Sequence, residues 1–326
     1  MGGSKDKYMS DRQGSNELES SILSLFVSVI IPVYNDAKRL KICLECLENQ
    51  TYPKNSYEVI VIDNGSDEGE NIISVVANFK QAIAAYESLP GSYAARNKGI
   101  TQAKGEVIAF TDADCTPANN WIENGVKNLL QTPECGLVAG KVEILFQNPN
   151  RLTTAELYQK IFNPMPQQEF IEREKFGATA NVFTFKSVID KVGNFDATLK
   201  SGGDVEWGRR VYAFGYKQIY AEDTCVAHPA RYSIKQIYKK TIRIVGGHYN
   251  LQQRLADSFI QSNKIFLRNL AYDLIPPLKV TTRIFLDRRL KGVDQKIKVT
   301  LVLFFIRYIV VKEKLRLKLG GIPARE

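Results

Sequence analysis

Asp112 and Asp114 stand one residue apart at the end of an apolar run, Glu106-Val107-Ile108-Ala109-Phe110-Thr111. Two carboxylates so placed suit a hard divalent cation, and such a cation usually grips a substrate phosphate as well. The run reads as a buried strand, and Pro117 stops its continuation. Open α/β sheets place their ligands at the carboxyl ends of strands. Side chains two apart on a strand share a face, although a turn starting here would splay them. The competing reading is a plain polar turn, since Asp is favoured wherever a strand ends.

The elements upstream favour the chemical reading. Residues 27–33 run into Tyr34-Asn35-Asp36, and residues 58–62 run into Asp63-Asn64-Gly65-Ser66-Asp67. Between them Leu40, Cys43, Leu44 and Leu47 recur at helical spacing, with Asp36 as the N-cap. This strand–helix–strand rhythm predicts right-handed βαβ units in a parallel sheet. A weaker strand over 81–86 and a helix from about 93 to 104 lead into the Asp112 strand. All three acidic strand ends are then expected on one edge of one sheet. Neither a dinucleotide fingerprint nor a P-loop follows any of these strands. A nucleotide here must be held by carboxylates, a metal and a basic side chain.

In order along the chain, Val29-Ile30-Ile31-Pro32-Val33-Tyr34-Asn35, Val61-Ile62-Asp63-Asn64-Gly65-Ser66-Asp67, Ala95-Arg96-Asn97-Lys98-Gly99 and Phe110-Thr111-Asp112-Ala113-Asp114 resemble the motifs of glycosyltransferase family 2. The resemblance continues through Phe195-Asp196, Gly203-Asp204-Val205-Glu206 and Cys225-Val226-Ala227-His228, covering roughly residues 27–230. It implies a GT-A fold: an α/β, Rossmann-like, mostly parallel sheet flanked by helices. It also implies a nucleotide-sugar donor, with a UDP-sugar the leading candidate, a divalent metal (Mn2+ or Mg2+) and inversion at the anomeric carbon. Matched position by position, Pro32 and Tyr34 border the nucleotide base and Asp63 bonds base or ribose. Arg96 approaches the nucleotide, Asp112 meets ribose or metal, and Asp114 and His228 ligate the metal. Read without the resemblance, Asp63 caps an Asx-turn, Arg96 is a solvated helix charge and His228 is a structural histidine near the end of an edge strand or on a loop.

Inverting transfer requires the acceptor hydroxyl to lose its proton as it attacks, so a base must lie within hydrogen-bond reach. Asp204 follows Ser201-Gly202-Gly203 and opens an apparent helix through Arg209, Arg210 and Tyr212. The resemblance matches Asp204 to the family's base, although Gly203 stands where relatives often carry an acid. The alternative role is an ordinary N-cap. Glu206 and Arg210, four apart, can steady the same helix. The Gln-x-x-Arg-Trp motif of processive members is missing, because the only tryptophans are Trp121 and Trp207. Single additions are expected.

Charge is divided unevenly. Residues 231–326 hold 21 Lys and Arg against 6 Asp and Glu, a net of +15, while residues 1–230 hold 23 against 29, a net of −6. Such a tail fits an anionic membrane better than nucleic acid, because apolar residues interleave with its bases. The apolar stretch 299–311 is short of the roughly 20 residues that span a bilayer. It also carries Arg307, a cost on the order of 3 kcal/mol at mid-bilayer. The segment either lies in the interface or caps the catalytic domain. Five cysteines without a disulfide-like spacing and the lack of a signal pattern point to the cytoplasmic face of a membrane. Cys43 and Cys46 read as core packing.

The expected organisation is a disordered lead-in over 1–22, a catalytic domain over 23–230 and a basic helical region over 231–326. The catalytic domain divides into a nucleotide-sugar half at about 27–116 and an acceptor half at about 117–230. The expected activity is metal-assisted, non-processive transfer of one sugar to a glycan or lipid-linked acceptor of the cell envelope. Two other readings compete: a sugar-phosphate nucleotidyltransferase on a similar fold, and a non-catalytic membrane- or polyanion-binding protein. The first needs a Gly-rich basic loop near Pro32, which is missing. The second predicts loss of carboxylates, yet Asp63, Asp112, Asp114 and Asp204 are all present.

Overall fold

Val and Ile fill the first, second and fourth strands so completely that both faces of each must be covered, as a parallel sheet between helices requires. The computed structural model describes residues 24–199, 201–255 and 258–324. The expected lead-in over 1–22 lies outside the described residues. In chain order the elements begin with β1 (Val27–Val33), α1 (Ala37–Glu48), β2 (Tyr57–Asp63), α2 (Ile72–Val76), β3 (Ala82–Tyr86), α3 (Ser92–Gln102), β4 (Val107–Thr111) and β5 (Thr116–Pro117). There follow α4 (Trp121–Gln131), β6 (Cys135–Leu145), α5 (Thr154–Ile161), β7 (Asn181–Phe185), α6 (Lys186–Val192), α7 (Gly203–Ala213) and β8 (Lys217–Pro229). Helices α8 (Ile234–Leu255), α9 (Phe259–Leu274), α10 (Leu278–Leu286) and α11 (Gly292–Lys318) come last.

The sheet has the order β3-β2-β1-β4-β7-β6-β8-β5. Its first four strands pair in parallel, so the carboxyl ends of β1, β2 and β4 share one edge, as expected. Beyond β4 the sheet turns antiparallel, with β7 against β4, β6 against β7 and β5 against β8. The α/β architecture thus joins a parallel half to an antiparallel half. Two close contacts set the spacing. A Cβ on Gly99 would lie 2.5 Å from Ile30 Cγ2, so glycine lets α3 settle directly on β1. Buried Asn181 accepts from Trp121 Nε1 at 2.8 Å and donates to the carbonyls of Lys141 and Thr224, each at 2.8 Å. One amide therefore joins β7 to α4, β6 and β8 with its hydrogen bonds satisfied.

Helix α1 buries Leu40, Cys43, Leu44 and Leu47, which bears out its spacing. Its start differs from the expectation. Asp36 occupies the N-cap position but makes no capping bond, because its carboxylate is taken by Arg39 Nε at 2.8 Å. Glu70 substitutes, accepting from Ala37 N at 2.7 Å. His228 is also placed differently: β8 lies between β6 and β5, so the histidine ends an inner strand rather than an edge strand.

The chain divides into two compact units that interleave. The first is Met1–Glu143, Gln167–Phe195 and Trp207–Ala227, and the second is Ile144–Pro166, Asp196–Glu206 and His228–Glu326. In the second, Thr153 and Glu156 form a reciprocal capping box at the start of α5. Val299 and Leu303 of α11 pack with Leu157 of α5, Ile284 and Leu290. Val302 packs with Ala155 and Ile237. Part of the apolar stretch 299–311 is therefore core of this unit, each such side chain worth about 1.5–3 kcal/mol when fully buried. Arg307 is paired at 2.7 Å with Asp273 of α9, which also binds Lys314. No helix among the described residues is long and apolar enough to cross a membrane.

Candidate donor and metal site

Strand β4 delivers the two carboxylates. Thr111, fully buried, donates from Oγ1 to Ala180 O at 3.0 Å and fixes the strand end. The chain then turns, Cys115 N donating to Asp112 O at 3.0 Å. The turn does not splay the acids apart. One ligand atom each from Asp112, Asp114 and Cys115 lie within 4.8 Å of one another. Burial, then the charges of Asp112 and Asp114, push the Cys115 thiol well above its usual range. Asp112 and Asp114 supply carboxylate oxygens as the hard donors of this group. That set fits Mn2+ or Mg2+ better than a thiolate-seeking metal.

Each carboxylate faces an arginine. Arg96, only 3% exposed on α3, donates from Nη2 to Asp112 Oδ1 at 2.5 Å. It is not the solvated helix charge that its sequence position allows. Its Nε is buried with no hydrogen-bond partner among the described residues. Arg39 in the first turn of α1 brings Nη1 to 3.6 Å from Asp114 Oδ2. Sequence reasoning missed Arg39, whose signal was a base three residues after Asp36. It also missed Cys115 and Asn97. The Asn97 side chain clips the backbone of Phe195 in both directions, Nδ2 to O at 2.8 Å and N to Oδ1 at 3.1 Å.

The rim beside the carboxylates is laced by asparagines. Asn35, at a left-handed φ of 48°, donates from Nδ2 to Asp67 and accepts from Asp67 N at 2.7 Å. Asn64 donates to the carbonyls of Glu87 and Leu89 and accepts from Gly91 N. The loops after β1, β2 and β3 are thereby tied together. Asp63 Oδ1 accepts from Ser66 N at 2.9 Å, the Asx-turn that its sequence allows. Pro32, one residue before the end of β1, is partly exposed, and Tyr34 is 51% exposed at the same rim. An exposed aromatic beside fixed polar loops is a surface on which a base can stack.

In the second unit, Gly202 at φ +83° reverses the chain before α7. The helix starts at Gly203, so Asp204 lies inside its first turn rather than capping it. Asp204 Oδ1 accepts from Val205 N at 3.1 Å. The helix N-terminus favours the carboxylate anion there. His228 is buried, with Nδ1 2.8 Å from Pro229 O. A carbonyl only accepts, so Nδ1 donates in that contact.

The sequence profile described as Glycosyl transferase family 2 matches residues 28–193. A glycosyltransferase of Haloferax volcanii, AglE, is 42% identical over 230 residues, 68% of this chain and 72% of that protein. The chain belongs to glycosyltransferase family 2. A second relative, from Methanococcus voltae, is 25% identical over 67% of this chain and 71% of its own length. It is named as a diacetamido-dideoxy-glucuronosyltransferase of dolichyl N-acetyl-α-D-glucosaminyl phosphate. Among solved structures, a mannosyltransferase from Pyrobaculum calidifontis with GDP-Man and Mn2+ superposes with a TM-score of 0.61 at 17% identity. That likeness covers 90% of this chain and 86% of the other, and shows the GT-A fold. The protein is a glycosyltransferase of family 2 with that fold.

Proposed function

We propose that the protein is an inverting, non-processive enzyme. On this reading it moves one sugar from a nucleoside-diphosphate sugar, UDP-linked in the first instance, to a hydroxyl of a glycan or lipid-linked acceptor of the cell envelope. The observation that carries it is the convergence of Asp112 and Asp114 within one cation's reach at the end of β4. A bound Mn2+ or Mg2+ would be held by Asp114 and Asp112, with His228 as the further ligand, and supplies charge neutralisation of the diphosphate. Arg96, whose Nε has no hydrogen-bond partner among the described residues, would approach the nucleotide. Tyr34 and Pro32 border the base, and Asp63 has Oδ2 to offer base or ribose.

Asp204 acts as general base. As the acceptor oxygen bonds to the anomeric carbon, its proton passes to the Asp204 carboxylate and the bond to the diphosphate oxygen breaks on the opposite face. The dipole of α7 keeps Asp204 ionised, and desolvation by bound acceptor raises its basicity. The lipid-linked acceptor is favoured by the dolichyl phosphate in the name of the Methanococcus voltae relative.

A membrane surface is the natural place for such an acceptor. From the end of α9 through α10 the large side chains Leu274, Ile275, Leu278, Phe285 and Leu286 are exposed. Lys279, Arg283 and Arg288 are exposed in the same segment. Apolar side chains among bases fit interfacial binding to anionic lipid at the cytoplasmic face.

The test is product analysis with a panel of nucleoside-diphosphate sugars, Mn2+ and lipid-linked glycan acceptors. The account expects release of nucleoside diphosphate and a product of inverted anomeric configuration by NMR. Release of inorganic pyrophosphate would identify a nucleotidyltransferase instead.

A further inference from the structure

Arg39 is held in a way that its helix does not require. Its guanidinium forks onto Asp36, Nε to Oδ1 at 2.8 Å and Nη2 to Oδ2 at 2.6 Å. This bidentate grip leaves Nη1 projecting toward Asp114 Oδ2 at 3.6 Å. That separation is too long for a hydrogen bond but close enough for strong charge interaction. Asp36 gives up its capping role to this grip, and Glu70 caps α1 in its place. Arg39 thus has a fixed anchor and a cationic end beside an acid of the cation site.

We propose that Arg39 couples cation binding to donor binding, standing as counter-ion to Asp114 until a metal–nucleoside diphosphate arrives and then pairing with that diphosphate. The proposal rests on the reading of Asp112 and Asp114 as the metal–diphosphate site. A divalent ion alone on Asp114 meets the guanidinium as a like charge, so Arg39 opposes it. A cation arriving with a diphosphate has its charge offset by the phosphate oxygens, and a guanidinium can itself bind those oxygens through charge-assisted hydrogen bonds. The side chain is 51% exposed, so it can release Asp36 and turn toward the diphosphate without disturbing the core. Opposition to the lone metal and attraction to the complex make a positive coupling between the two ligands, and coupling is reciprocal. The hydroxyl-bearing acceptor plays no part in it.

The test is calorimetric titration of Mn2+, UDP and GDP, singly and together, into the full chain and its Arg39→Gln and Arg39→Lys variants. Arg39→Gln should bind Mn2+ alone about 3- to 10-fold more tightly, the partly screened value of one removed positive charge at this distance. The same variant should bind the Mn2+–nucleotide pair about 10-fold more weakly, and Arg39→Lys should recover part of that loss. Thermal midpoints should agree among the three proteins, separating the effect from damage to α1. Mn2+ affinity that is unchanged or weaker in Arg39→Gln overturns the proposal while leaving the site reading intact. Failure of the parent to bind Mn2+ with either nucleotide overturns both.

Discussion

Arg96 Nη2 lies 2.5 Å from Asp112 Oδ1, joining the buried middle of α3 to the turn that follows β4. Arg96 carries its charge at 3% exposure, whereas the Asp112 side chain remains 34% exposed. The arginine is the more deeply desolvated partner, and it leans on the Tyr93 ring with its carbon 5.9 Å from the centroid. Asp112 therefore neutralises a core guanidinium through Oδ1 while its side chain stays partly solvated beside Asp114.

Arg96→Ala should remove this arrangement and destabilise the protein by about 2 kcal/mol, below the 3–5 kcal/mol for a fully buried pair because Asp112 stays partly solvated. Arg96→Lys should recover less than half of the loss, since a compact ammonium does not place its donor where Nη2 meets Asp112. Urea midpoints of the three proteins, at constant m, check both figures.

Gly99→Ala should act on the same site from behind. The added Cβ meets Ile30 at 2.5 Å and forces α3 away from β1. Overpacking of this kind costs about 1–3 kcal/mol. Arg96 and Asn97 ride on that helix, so nucleotide affinity should fall together with stability. Unaltered affinity in a clearly destabilised variant would show that α3 does not position the donor.

Much of this was legible in the sequence. Strand ends at Val33, Asp63 and Thr111 and the helix over α1 follow from mostly apolar runs rich in Val and Ile and from Leu40, Cys43, Leu44 and Leu47. The antiparallel half was not, because β5 has two residues and β7 is an apolar run that reads equally well in either direction. The partners of the carboxylates were hidden too. Nothing in Arg39 or Arg96 marks which acid it meets, since those pairings depend on how α1 and α3 seat on β1. Asp36 shows the limit of cap signals: an ion pair three residues away displaced the capping bond.

Lys240 on α8 gives a pH signature. Burial, followed by the charges of Arg231 and Arg243, lowers its pKa from 10.5 to about 7. Between pH 7 and 10.5 the unfolded chain binds this proton while the folded chain does not, so this residue's contribution to stability rises with pH. Below pH 7 both states are protonated and the penalty is present in full. Lys240→Met should therefore gain most over the parent near pH 6–7 and progressively less toward pH 10. Urea unfolding of both proteins across that range reads the difference, and a gain that is flat with pH would refute it.

Membrane attachment should depend on exposed residues rather than on the apolar length of α11, whose Val299, Val302 and Leu303 belong to a core. Leu278→Glu with Leu286→Glu should reduce flotation with anionic liposomes without lowering the thermal midpoint, because both side chains are exposed. Binding should also weaken as salt rises, leaving a salt-resistant apolar remainder. Equal flotation with neutral and anionic vesicles would contradict the electrostatic part.

The central claim is that Asp114 serves donor binding and Asp204 serves chemistry, and one paired experiment separates them. Nucleotide-sugar binding and transfer are measured for the parent, Asp114→Asn and Asp204→Asn, with Mn2+ and with chelator. The account predicts that Asp114→Asn loses metal-dependent donor binding, while Asp204→Asn keeps it and transfers roughly 10²–10⁴-fold more slowly. Metal-dependent donor binding that survives Asp114→Asn, or near-normal transfer by Asp204→Asn, would contradict it.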